Sequence, residues 1–245
     1  MWDGHSAVPL RSQPPVRKIG HKGADAVTAG NTLASFHTAV ELGVDMVEFD
    51  VLPLRDGSLV IAHDRLDAER RQPIPLADCL DAFTAPPLDR VELDCDLKLP
   101  AGEGELVAGL RERGLLGRAM VSTMELSSLP VLRQLEPELR LGWTYPKVTR
   151  DWNSRRWARP GVLAALRVMR ARLPRTAARA LPALDVQAMW VYWPLVSRRL
   201  LEVARSAGVA VNAWTVDNPA RIRALDRLGV DGVCTNDPRL FGEPA

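Results

Sequence analysis

Residues 209–235 read VAVNAWTVDNPARIRALDRLGVDGVCT and contain a complete strand-helix-strand unit. Val209 to Val216 is a β-like run. Asn218-Pro219 supplies a helix cap and a first-turn proline for the helix Pro219 to Leu228, Gly229 closes that helix, and Val230 to Thr235 is the next strand. The same rhythm extends upstream. Leu195 to Ala207 reads as a helix ended by Gly208, Met189 to Tyr192 as a strand, Gly161 to Arg172 as a helix, and Leu139 to Tyr145 as a strand. Before these come a helix at Leu126 to Leu135, a strand at Ala119 to Ser122, a helix at Leu106 to Arg113 and a strand at Val91 to Leu97.

The N-terminal third follows suit. Val16 to Gly20 reads as a strand, and Asn31 is placed to cap a helix whose apolar positions Leu33, Phe36, Ala39 and Val40 precede Gly43. Met46 to Leu52 and Leu59 to Ala62 flank the turn Arg55-Asp56-Gly57. A loop at Arg65 to Pro75 and a helix at Leu76 to Phe83 complete the chain. About eight such βα units predict an α/β fold, a single-domain (β/α)8 TIM barrel, because that fold uses roughly 250 residues and has no linker. The barrel is expected over residues 16–245, after a polar leader at 1–15.

Composition excludes other classes. With 47% hydrophobic residues in 245, the chain can bury a full core. Lys and Arg number 32 against 30 Asp and Glu, so the net charge of +2 gives no argument for a nucleic-acid partner. Cys79, Cys95 and Cys234 are odd in number and lack CxxC spacing, which points to buried thiols in a reducing compartment. No apolar run reaches the roughly 18 to 20 residues of a membrane span. A soluble, cytoplasmic protein is the expectation.

The residues suited to chemistry lie at strand ends, where a barrel builds its active face. Ile19-Gly20-His21-Lys22-Gly23 puts a histidine and a cation there. In Val47-Glu48-Phe49-Asp50-Val51, alternation points Glu48 and Asp50 to one face and the apolar residues to the other. Two carboxylates inside a barrel are costly without a cation, and a hard divalent metal, Mg²⁺ or Ca²⁺, resolves the repulsion. Two surface carboxylates on an edge strand are the other reading. Ala62-His63-Asp64 adds a second histidine, and two imidazoles can divide general acid and base roles. Asp94, Asp96 and Lys98 share one face of their strand, offering a third carboxylate and a cation for an anionic group.

Together these segments resemble the glycerophosphodiester phosphodiesterase family. The resemblance rests on His21-Lys22-Gly23, Asn31-Thr32, Glu48-x-Asp50, Asp56-Gly57, His63-Asp64, Asp96-x-Lys98, the strand through Trp214-Thr215-Val216, and Gly229 to Gly232 followed by Thr235, Asp237 and Pro238. It implies His21 and His63 as the catalytic pair, Glu48, Asp50 and Asp96 as ligands of Mg²⁺ or Ca²⁺, Lys22 and Lys98 on the phosphate, and Trp214 lining the pocket. The activity implied is metal-dependent hydrolysis of glycerophosphodiesters to an alcohol and glycerol 3-phosphate. The partner implied is a small-molecule or lipid-derived phosphodiester. Three positions depart from the family pattern: Lys22 replaces Arg, Gly30 replaces Glu, and Asp96 replaces Glu. The interval from His63 to Asp96 is also short of the family's usual inserted subdomain. A phospholipase D-like enzyme acting on lysophospholipids and a non-catalytic phosphate-ester-binding barrel are the alternatives. From Arg150 to Arg179 there are nine arginines and one acidic residue, interleaved with Trp152 and Trp157. That stretch fits either a weak contact with an anionic membrane or an outer helix with a solvated basic face.

Overall fold

The structure, a computed structural model, describes residues 15–147 and 159–242. Most of the leader at 1–15, and residues 150–158 of the arginine-rich stretch, lie outside the described residues. Strand β1 (Arg17–His21) leads through helix α1 (Leu33–Glu41) to β2 (Met46–Pro53). A hairpin strand β3 (Leu59–Ile61), helix α2 (Arg65–Arg70), a two-residue strand β4 (Ile74–Pro75) and helix α3 (Leu76–Ala82) follow. Five βα repeats finish the chain: β5 (Glu92–Leu97) and α4 (Glu103–Glu112), β6 (Ala119–Thr123) and α5 (Ser128–Leu135), β7 (Arg140–Tyr145) and α6 (Arg159–Leu184), β8 (Ala188–Tyr192) and α7 (Arg198–Ser206), β9 (Ala210–Trp214) and α8 (Pro219–Leu228). The last strand is β10 (Gly232–Thr235).

The barrel closes in the order β1-β2-β5-β6-β7-β8-β9-β10, with β10 returning to β1 and every neighbour parallel. This is the expected single-domain TIM barrel. β3 and β4 are antiparallel additions at the end of β2, outside the closed ring.

Strand alternation sorts the side chains into two layers. On β2 every residue is buried. Val47, Phe49 and Val51 face the helices, where Phe49 meets Phe36 and Phe83 at ring-centroid distances of 5.5 Å each. Met46 faces the barrel axis with Ile19, Met120, Ala188, Trp190 and Cys234. Glu48 and Asp50 have the parity of Met46, so they too point inward. The apolar outer layer is therefore what forces two carboxylates into the interior.

Three boundaries differ from the sequence reading. Thr32 caps α1, its Oγ1 accepting from the Ser35 N–H at 3.1 Å, whereas Asn31 takes a left-handed φ of 56° and serves the site instead. Arg65 to Arg70 is a helix where a loop was expected, and it buries none of its residues, so no apolar periodicity announces it. Helix α6 runs on to Leu184 through Pro174, with Leu173, Ala177 and Leu181 buried against the barrel. It carries six arginines and no acidic residue. All three cysteines are free and buried. Among the described residues no helix is long and apolar enough to cross a membrane.

Because Phe49 joins β2 to α1 and to Phe83, which caps the end of α3, through one aromatic cluster, Phe49→Ala is expected to cost about 3–5 kcal/mol in urea unfolding. Leu163→Ser, on an exposed turn of α6, is expected to stay within about 0.5 kcal/mol of the parent.

Candidate active site

Strand register brings the sequence-predicted residues together at the carboxyl-terminal mouth. His21 pairs with Glu48, Glu48 with Asp94, and Asp50 with Asp96. One oxygen from each of Glu48, Asp50 and Asp96 lies within 4.8 Å of the others, and all three residues are buried. Asp96 Oδ1 is buried without a hydrogen-bond partner among the described residues. Three convergent carboxylates, one with an unused oxygen, are the donor set of a hard divalent cation.

The charges around them are organised by two lysines. Lys98 Nζ contacts Asp50 Oδ1 directly and Asp96 Oδ2 at 2.6 Å, and Lys22 Nζ stands 3.7 Å from Asp50 Oδ2. Burial alone would raise Asp50, yet Lys98 and then Lys22 hold it well below the ordinary carboxylate range. Burial likewise opposes the charge on Lys98, but Asp50, Asp96 and Glu48 hold its ammonium above the usual lysine range. Among the described residues no ammonium group contacts Glu48. Burial, then Asp50 and Asp96, push it up to about 8, although the Lys22 backbone N–H donates to its Oε2 at 2.9 Å. Three carboxylates against two ammonium groups leave one negative charge, which a proton or a cation must offset.

Asn31 completes the cradle of Asp50. Its Nδ2 donates to Asp50 Oδ2 at 2.8 Å, and its Oδ1 accepts the Asp50 backbone N–H at 3.1 Å. Gly30 beside it has no room for a side chain: an added Cβ would lie 2.4 Å from Asp25 Oδ1 and 2.9 Å from Lys22 Cβ. Asp25 accepts the Gly30 N–H, and Arg71 donates to the Gly30 carbonyl. A side chain at this position would displace the Asp25 carboxylate.

The orientation of His21 follows from a chain of hydrogen bonds. Asp217 can only accept, so the Asn236 group 2.6 Å from its Oδ2 is the amide Nδ2. Asn236 Oδ1 therefore faces His21 Nδ1 at 2.6 Å, and Nδ1 carries the hydrogen. That leaves Nε2 as a bare acceptor, 4.0 Å from Glu48 Oε2. Burial, with help from Lys22, lowers the pKa of His21 and keeps the ring neutral near pH 7. Asp217 is itself fixed by Thr235 Oγ1 and the Asn236 N–H.

His63 is held differently. It is half-exposed, precedes α2, and its backbone N–H donates to Asp67 Oδ2 at 3.0 Å while its Nδ1 lies 3.2 Å from Asp64 Oδ2. Asp64 also caps α2 through the Asp67 N–H, which together with His63 lowers its pKa. The helix absent from the sequence reading is thus what positions the second histidine. His21, Glu48, His63, Asp96, Lys98 and Trp214 line one pocket at the mouth. Asp94 sits in the same pocket but accepts from Ser122 Oγ at 2.7 Å, and burial, then Glu48, raises its pKa well above normal.

Asn236 and Asp217 were not singled out by sequence, although Asn236 immediately follows a strand end. Asn31 stands out in the sequence as a cap and in the Asn31-Thr32 motif, not as a partner of Asp50.

Comparison with known proteins finds relatives that span nearly the whole barrel. The glycerophosphoryl diester phosphodiesterase family model matches residues 21–71 and 97–240. A glycerophosphodiester phosphodiesterase of Caldanaerobacter subterraneus subsp. tengcongensis is 24% identical over 256 aligned residues, covering 91% of this chain and 95% of the relative. A crystal structure of a protein from Silicibacter pomeroyi superposes with a TM-score of 0.73 at 23% identity, over 94% of this chain and 93% of that one. An Oleispira antarctica phosphodiesterase in complex with the product sn-glycerol-3-phosphate gives 0.66 at 21% identity, over 92% and 94%. Likeness at these identities is likeness of fold. Asp94 and Asp96 fall between the two matched segments, so their place in the site rests on strand register.

A proton on Glu48 would compete with any divalent cation held by the cluster. Its folded-state pKa lies above the unfolded value of 4.5, so the protonated acid contributes stability below about 4.5 that is lost as pH rises through about 8. Calorimetric Mg²⁺ or Ca²⁺ affinity is accordingly expected to rise from pH 5 to 8, with Glu48→Gln removing most of that dependence; a flat profile in the parent would contradict this.

Proposed function

The chain belongs to the glycerophosphoryl diester phosphodiesterase family, and from that premise we propose that it is a metal-dependent enzyme hydrolysing glycerophosphodiesters to an alcohol and glycerol 3-phosphate. It is a phosphoric diester hydrolase. The observation that carries the finer reading is the convergence, at one barrel mouth, of a three-carboxylate cluster and a neutral histidine with its Nε2 free.

Glu48, Asp50 and Asp96 would hold the divalent cation, Mg²⁺ or Ca²⁺, which when bound supplies Lewis-acid neutralisation of the phosphate. Lys22 and Lys98 face the same region and place positive charge where the phosphoryl oxygens gain negative charge in the transition state. His21 Nε2, with its hydrogen fixed on Nδ1, takes a proton from the attacking hydroxyl. His63, with Asp64 beside its Nδ1, delivers a proton to the leaving alkoxide. One P–O bond forms and one breaks, and the two histidines exchange protonation states. When water attacks, the product is a phosphomonoester. When a substrate hydroxyl attacks, it is a cyclic phosphate. Trp214 at the end of β9 forms the aromatic wall beside the reacting group.

The lysine at position 22 has a structural counterpart in this reading. Its backbone takes a left-handed φ of 51°, its N–H holds Glu48 and its ammonium faces Asp50, so the residue organises the cluster as well as facing the phosphate.

Incubation with glycerophosphoethanolamine, a lysophospholipid and Mg²⁺ or Ca²⁺ tests the reading through product identity. Glycerol 3-phosphate is expected from the first substrate and is expected to cease on chelation. His21→Ala and His63→Ala are each expected to lower kcat by about 10²–10⁴ with unchanged thermal unfolding. Full activity in the double variant would overturn the assignment.

A further inference from the structure

Across the pocket from the carboxylates stand polar groups that the reaction leaves unused. Thr144 on β7 and Trp190 on β8 pair in register, are 5% and 3% exposed, and both line the pocket. Thr144 Oγ1 and Trp190 Nε1 are buried atoms without a hydrogen-bond partner among the described residues. Buried polar groups are nearly always satisfied, and an unmatched one weighs against the folded state.

The indole occupies a prepared place. An added Cβ at Gly142, on the neighbouring strand, would come within 2.9 Å of Trp190 Cδ1 and Nε1, so glycine there is what lets the ring lie across the barrel. The pocket is therefore two-sided. Glu48, Asp94, Asp96 and Lys98 come from β2, β5 and the residue after β5, while β7 and β8 present a hydroxyl and a neutral N–H.

We propose that Thr144 and Trp190 are specificity-determining residues that hydrogen-bond the hydroxyl-bearing arm of the diester and reject an apolar arm. This rests on the diesterase reading and adds to it the residues that select the arm. A phosphate held among Lys22, Lys98 and the carboxylates directs one ester arm toward β7 and β8. An indole N–H only donates and a threonine hydroxyl donates or accepts, so alcohol oxygens satisfy both. An alkyl arm of the same length would bury both groups unmatched, and a site built around hydrogen bonds discriminates strongly against a ligand that lacks them.

The test compares glycerophosphoethanolamine with propylphosphoethanolamine, which keeps the leaving group and removes both hydroxyls from the other arm. The parent is expected to prefer the glycerol ester in kcat/KM by about tenfold or more. Thr144→Val exchanges a hydroxyl for a methyl group. It is expected to lower kcat/KM for the glycerol ester about tenfold, chiefly through KM, and to leave the propyl ester within about twofold. Thr144→Ser is expected to restore the preference, and Trp190→Phe to act in the same direction as Thr144→Val. Because Trp190 also belongs to the interior apolar cluster, thermal unfolding accompanies that variant, and the Val and Ser pair carries the result if it fails to fold. Equal losses on the two esters, or no preference in the parent, would overturn the proposal alone. No turnover of either ester by the parent would bring down the diesterase reading and this proposal together.

Discussion

Asp50 is fully buried and ionised at the mouth of the barrel, and much of the surrounding structure makes that tolerable. Lys98 contacts it on one oxygen, while Asn31 and Lys22 attend the other. An isolated buried carboxylate would be neutralised by protonation, so this arrangement is maintained by its partners. The lysines do not balance the whole cluster. Glu48 is left with a raised pKa, and Asp96 with an unused oxygen. A structure that spends burial on three carboxylates and supplies two ammonium groups is built to receive one more positive charge.

The same economy of position extends to the histidines, each of which is set by a carboxylate from a neighbouring segment. His21 is oriented through Asn236 by Asp217, so the ends of β9, β10 and β1 cooperate in fixing one tautomer. His63 is oriented by Asp64 and Asp67 at the start of α2. One ring is buried and neutral with a free acceptor, and the other is half-exposed beside an acidic group. Their environments differ in the sense that general base and general acid require.

Much of this was legible in the sequence because barrel strands impose a period of two. Val47, Phe49 and Val51 declared the outer face of β2, and Glu48 and Asp50 were then necessarily inside. The eight residues named for the site all reach the mouth. What escaped was set by less periodic features. Asn31 looked like a cap because asparagine and threonine both cap well, and only the left-handed turn at 31 sends its amide to Asp50. Asn236 carries no spacing signal, since its function comes from meeting Asp217 and His21, residues 19 and 215 positions away. Helix α2 has no apolar face to detect, and α6 continues past a proline that ordinarily marks an end. Thr144 and Trp190 read as ordinary strand residues until closure of the barrel turns them toward the carboxylates.

The central claim is that the acidic cluster exists to hold a divalent cation. Anomalous diffraction from crystals soaked in Mn²⁺ tests it most directly. The account predicts one strong peak at coordination distance, about 2–2.6 Å, from oxygens of Glu48, Asp50 and Asp96. A peak elsewhere, or no peak with Lys98 still bridging Asp50 and Asp96, would contradict it.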